Sequence, residues 1–304
     1  MSDKAPVPIQ TSTLDKPKQN GLRDNTEIRA RCEKTENLLN RPRVLMYHRI
    51  VDDRALSQTQ QTCVHIHEFR KQLELIDRLG YTPITFYDYR LFQAGEIQLP
   101  KKPLILTFDD GYLDTYHLAF PLLTEFGMKA VIFALGDPSV RTNVWDAGKP
   151  GISEAGLMEQ DHIAELSDYG FEIGGHSLSH PNLASLSAAE CLHEVSKTKM
   201  VLETITHTEV QSFSYPYGEV SRQVKDCVAE SGYKYACSVF SGPARFGVDL
   251  LEIRRIAVHN TTTIPGLALR LVSPYEYLEW MWWKSGSASR FGKRGAPVKG
   301  YSLQ

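Results

Sequence analysis

The sequence has no CxxC pair. Its five cysteines, Cys32, Cys63, Cys191, Cys227 and Cys237, are scattered and odd in number. That excludes the framework of a small disulfide-stapled protein. It has no basic excess, with 34 Lys and Arg against 36 Asp and Glu, so it carries no general nucleic-acid footprint. No run approaches the ~18 apolar residues of a membrane-spanning helix. The first residues, MSDKAPVPIQTSTLDKPKQNG, lack the apolar core of a secretory signal, and the expectation is a reduced, cytoplasmic protein. No GxGxxG follows a strand pattern, and no internal repeat is visible. What is present suffices for a large core: 304 residues, 42% hydrophobic and 23% charged, the size of one large α/β domain.

Residues 1–41 are polar, with few apolar positions and one short helix pattern at about Asn25–Leu39. They read as a disordered or loosely attached tail. From Arg43 onward, strand and helix patterns alternate. Short apolar runs at Val44–Tyr47, Thr82–Phe86, Leu104–Phe108, Ala130–Leu135, Phe171–Ile173, Gln211–Ser214, Tyr235–Val239 and Ile253–Val258 read as strands. Helical spacing appears at His67–Leu79, Asp88–Ala94, up to Phe126 with a break at Pro121, Ala155–Asp168, Ser187–Ile205 and Glu219–Ser231. Ser187 with Glu190 three residues on forms a capping-box pattern. Such alternation specifies a parallel sheet. Seven or eight strands in about 220 residues fit a closed or nearly closed (β/α) barrel better than an open doubly wound sheet.

Three motifs fall just past strand ends, where a barrel places its chemistry. In Thr107-Phe108-Asp109-Asp110-Gly111-Tyr112, two carboxylates directly follow buried apolar residues, which is costly unless each finds a partner. A cation can satisfy one while the other stays free as a base. The alternative is an ordinary Asp-Asp-Gly turn. In His176-Ser177-Leu178-Ser179-His180, histidines at i and i+4 on a helical turn share a face and can hold a metal. With Asp110 they give two nitrogens and one oxygen, a set that leaves coordination positions open. The Gly174-Gly175 pair before them permits close backbone approach. In Ser214-Tyr215-Pro216-Tyr217-Gly218, a rigid turn can aim a backbone N–H outward, although an ordinary strand-to-helix loop reads the same way.

TFDDG at 107–111, HSxxH at 176–180 and YPYG at 215–218, in that order, resemble the polysaccharide deacetylases of carbohydrate esterase family 4, the NodB-homology proteins. VLMYHRI at Val44–Ile50 is similar to the opening strand of the poly-N-acetylglucosamine deacetylase branch. The resemblance spans about residues 43–260 and implies a distorted (β/α)7–8 barrel over 42–272. It implies a hydrolase that removes N-acetyl groups from an amino-sugar-containing saccharide, with a role in exopolysaccharide biosynthesis. Asp110, His176 and His180 would bind a divalent metal, zinc first, with cobalt, nickel, manganese or iron as alternatives. Asp109 would be the general base, and the Tyr217 N–H would hold the oxyanion with the metal. A general acid is also required. His259 loosely fits the family's late apolar-x-apolar-x-His pattern, and His48 at the end of the first strand is its rival. The family's usual arginine in the third motif is missing: Ser214-Tyr215 stand there. Arg254 or Arg255 would have to brace Asp109. No Asp-Trp motif precedes the last strand, and Asp249 is the only acid in 241–249. The alternatives are a hydrolase of a different amide on the same fold, or an inactive saccharide-binding protein.

Residues 273–304 combine a capped helix start at Ser273-Pro274 with Leu278, Trp280, Met281, Trp282 and Trp283, then five bases and no acid from Lys284 on. Both a helix packed on the barrel and peripheral contact with the inner membrane face are open readings. The remaining histidines, among them His65, His67, His117 and His162, have no partner spacing.

Overall fold

A computed structural model describes residues 41–239 and 249–273. The N-terminal tail, with the helix pattern expected at 25–39, and the aromatic and basic C-terminal segment lie outside the described residues.

The strands are β1 (Arg43–Tyr47), β2 (Arg49–Val51), β3 (Cys63–His65), β4 (Thr82–Pro83), β5 (Pro103–Phe108), β6 (Val131–Ala134), β7 (Glu172–Gly175), β8 (Ser212–Ser214), β9 (Tyr235–Cys237) and β10 (Ile256–Ala257). The helices used below are α1 (Arg54–Thr59), α2 (Ile66–Arg78), α3 (Phe86–Gln93), α4 (Phe120–Glu125), α5 (Gln160–Asp168), α6 (Ala188–Thr206), α7 (Arg222–Glu230) and α8 (Ile264–Val272). The sheet runs β10-β1-β5-β6-β7-β8-β9, all pairs parallel, and β4 adds to the start of β5. A parallel bridge between Cys237 and Ile253 joins β9 to the segment entering β10. One stretch, 253–257, therefore pairs with both edges and curls the sheet into a barrel with helices outside it. Strands buried on both faces must be apolar throughout, which is why β5, PLILTF, is buried at all six positions. Inside the barrel, Val44, Ile105, Val131, Phe133, Tyr235 and Cys237 pack with Phe86 and Tyr89 of α3.

Local rules set most boundaries. Ser187 and Glu190 form the expected capping box at α6. Four boundaries moved, each for a specific reason. Thr85 caps α3 through a box with Asp88, which ends β4 at Pro83. Residues 155–158 are extended rather than helical. The Ala155 N–H donates to Asn143 Oδ1, and Leu157 bridges Tyr112, so α5 begins only at Gln160. The turn after β8 delays α7 to Arg222, where Ser221 caps it. The last strand is broken at 254–255, where Arg255 turns its side chain to the buried carboxylate described next.

Candidate active site

The two adjacent aspartates after β5 separate because their backbones differ. The Asp109 N–H still donates to Tyr47 O as a strand residue does. Asp110 has a left-handed backbone, φ 72°. Such conformations cost a non-glycine residue ~1–3 kcal/mol. Five described non-glycine residues have positive φ, and four of them, Asp110, Ser177, His180 and Tyr217, stand here. The strain is thus concentrated at one end of the barrel.

Asp109 is 2% exposed and faces Arg255, also 2% exposed. Arg255 Nη1 donates to Oδ1 at 2.6 Å and Nη2 to Oδ2 at 2.7 Å. The other three N–H groups donate to Ser238 O, Thr107 Oγ1 and Ser214 Oγ. All five guanidinium donors are satisfied, the condition under which a buried ion pair is tolerated. Burial alone would push the Asp109 carboxyl up; the charge and hydrogen bonds of Arg255 overcome it and hold the carboxyl below its ordinary range. Arg254 pairs with Glu252 instead. Ser214 turns its hydroxyl to Asp109 at 3.2 Å, at the position where the family usually places its arginine.

Asp110 takes different partners. Its Oδ1 lies 2.9 Å from His176 Nε2 and 3.3 Å from His180 Nε2. The three donor atoms all fall within 4.8 Å of one another, and all three residues are buried. His176 Nδ1 is 2.7 Å from Ser214 O. A carbonyl only accepts, so Nδ1 carries the hydrogen and the Nε2 lone pair faces the Asp110 carboxylate. Two acceptors at 2.9 Å need a proton or a cation between them. Two imidazoles and a carboxylate suit a divalent cation with open positions, so the donor set fits.

The HSxxH segment is not a helical turn. His176 continues β7, and the backbone then turns through positive φ at Ser177 and His180. Glu194 of α6 holds this loop, accepting from the N–H groups of Leu178 and Ser179 and from the Ser179 hydroxyl. The Ser177 hydroxyl accepts from the His180 N–H at 2.9 Å. The i, i+4 spacing brings the rings together, with centroids 4.9 Å apart, through this loop. Gly174 and Gly175 are required here: a Cβ on the first would strike the Phe133 ring, and one on the second the Tyr233 hydroxyl.

Tyr217 has φ 60° in the Pro-Tyr-Gly turn, and its ring meets His180 edge to face at 4.7 Å. His48 and His259 are both half-buried. His48 is an electrostatic neighbour of Asp109, Asp110 and His259. Burial, His48 and Arg270 push His259 down to about 4. Trp145, which no motif singled out, stacks on His180. A cavity of about 280 Å³ between the segment after β6 and the start of α5 touches the triad only through Asp110.

Residues 96–236 match the polysaccharide deacetylase family model. The polysaccharide-deacetylase-like protein YxkH of Bacillus subtilis strain 168 is 25% identical over 225 residues, 74% of each chain. The poly-beta-1,6-N-acetyl-D-glucosamine N-deacetylase of Escherichia coli K12 is 24% identical over 257 residues. That alignment covers 74% of this chain and 38% of that protein. The Streptococcus pyogenes deacetylase PplD, solved in complex with acetate, shares the fold with a TM-score of 0.65. It is 23% identical, and the match covers 77% of this chain and 99% of that one. Over residues 96–236 the chain is similar to the polysaccharide deacetylases. Its fold is the NodB-type (β/α) barrel of the solved deacetylases.

Proposed function

We propose that this protein removes N-acetyl groups from a polymer or oligomer containing N-acetylglucosamine, with a divalent metal, zinc first, held by Asp110, His176 and His180. The observation that carries this reading is the division between neighbouring carboxylates. Asp109 is ionised against Arg255 and holds no metal-donor position, while Asp110 faces two imidazoles. The name of the Escherichia coli relative supports the saccharide class.

A divalent cation at this triad supplies Lewis acidity toward water and the acetamide carbonyl. Asp109, kept ionised by Arg255, takes a proton from the attacking water. The Tyr217 N–H, aimed by its left-handed turn, donates to the oxyanion that develops on the carbonyl oxygen. The departing amine takes a proton from an imidazole. His259, pushed down to about 4, is neutral above that pH, which leaves His48 at the end of β1 as the donor. Acetate and a free amino sugar result.

Acetate release from chitooligosaccharide and from poly-β-1,6-N-acetylglucosamine tests the reading, on chelated protein and after zinc is restored. Zinc-dependent release supports it. No release from zinc-loaded protein on either substrate, or equal release without metal, overturns it.

A further inference from the structure

The two histidines of the triad are held by different means. His176 is fixed as metal-binding imidazoles usually are, by its second nitrogen donating to a backbone carbonyl. The second nitrogen of His180, Nδ1, is buried and has no hydrogen-bond partner among the described residues. On the side of the ring away from Asp110, nothing polar sets its rotation. Aromatic faces do: the Trp145 indole stacks on it at 4.2 Å with an interplanar angle of 18°, and Tyr217 meets it at 74°.

Trp145 is itself placed by a stitched loop. It sits in the single turn Val144–Asp146. Asn143, 4% exposed, closes the base: its Oδ1 accepts from the Ala155 N–H at 2.7 Å and its Nδ2 donates to Ser153 O. Asp146 N–H donates to Asn143 O, and the Asp146 carboxylate pairs with Lys149 at 2.7 Å. Gln60, between α1 and β3, ties the far side down through the Ser153 hydroxyl. The indole therefore arrives at His180 as a fixed plane.

We propose that Trp145 is the positioning residue for His180, doing by ring stacking what a hydrogen bond to a carbonyl does for His176. This rests on the metal-binding reading of the triad. Offset-stacked aromatic pairs are favoured over free rotation of either ring. A ligand whose plane is set before the cation arrives loses less freedom on binding, as it does with a hydrogen-bonded outer partner. Trp145 would thus act on metal affinity, with Asp109 and Arg255 untouched.

The test uses the full chain, stripped of metal, in four forms: parent, His180→Ala, Trp145→Phe and Trp145→Leu. Zinc affinity is read by competition with a chelator, and cobalt loading by its visible spectrum. Leu fills space without a flat face; Phe keeps the face. The expected result is a zinc dissociation constant raised ~10–100-fold in Trp145→Leu and restored to within a few-fold of the parent in Trp145→Phe. The cobalt spectrum should change in Leu and stay parental in Phe. Equal, parent-like affinity in both variants overturns the proposal, and so does equal loss in both. A parent that binds no zinc, or a His180→Ala variant that binds as tightly as the parent, instead overturns the triad reading. The melting temperature of the metal-free variants shows whether a loss reflects folding. If Trp145→Leu does not fold, a parent-like Phe variant at Trp145 beside a weakened Trp145→Met decides the matter.

Discussion

Arg255, beside β10, and Asp109, after β5, lie two strands and 146 residues apart and meet through two parallel hydrogen bonds of 2.6 and 2.7 Å with both side chains buried. Arg255→Ala should leave a buried carboxylate with no countercharge, costing ~3–5 kcal/mol of stability. The surviving carboxyl should also titrate higher, because burial raises it and Arg255 lowers it. A base must be ionised, so the acidic limb of kcat/KM against pH should move to higher pH. Arg255→Lys should show a smaller shift. An acidic limb unmoved in both variants would mean that Asp109 is not the base.

The two aspartates should separate in metal content. Asp109→Asn should retain stoichiometric zinc and lose turnover by ~10²-fold or more, whereas Asp110→Asn and His176→Ala should lose zinc. Elemental analysis after gel filtration, beside acetate release, reads both properties. Equal zinc loss in the two Asn variants would show that both carboxylates are ligands.

His48 and His259 compete for the proton-donor role. His259 is pushed down to about 4, so near neutral pH it holds no proton to give. His48→Ala should therefore lower kcat by ~10²–10⁴, while His259→Ala costs less. Near-normal turnover in His48→Ala beside a crippled His259→Ala would return the role to the late segment.

Glu172 provides a pH test away from the site. Burial raises its carboxyl to about 7, although Ser212 Oγ donates to it at 2.6 Å and the Tyr87 N–H at 2.8 Å. A carboxyl raised in the folded state stabilises fully below its unfolded value, near 4.5, and loses that contribution as pH rises through about 7. Glu172→Gln keeps one acceptor oxygen and cannot ionise. Relative to the parent it should gain roughly 2–4 kcal/mol between pH 4.5 and pH 8. Urea midpoints at both pH values give the comparison, and a pH-independent difference would show that Glu172 is ionised without cost.

The sequence by itself determined the alternation of elements, the parallel sheet and the three motifs at strand ends. Those signals are local: an apolar run such as LILTF at 104–108 must be buried whatever surrounds it, and Ser187 with Glu190 caps a helix on its own. The spacing of His176 and His180 brought both into view, yet the helical turn inferred from it was wrong. Glu194, from another element, pays the cost of the left-handed backbone there. Tertiary structure alone decided between Arg254 and Arg255, because a one-residue difference sends a side chain to the opposite face of a strand. Trp145 was invisible for a related reason. Its contact with His180 depends on where a loop stitched around Asn143 comes to rest, and no local pattern encodes that distance. The residues that carry the proposed chemistry sit at strand ends and could be read from sequence. The residues that hold them in place come from other strands, helices and loops distant in sequence, and only folding brings them there.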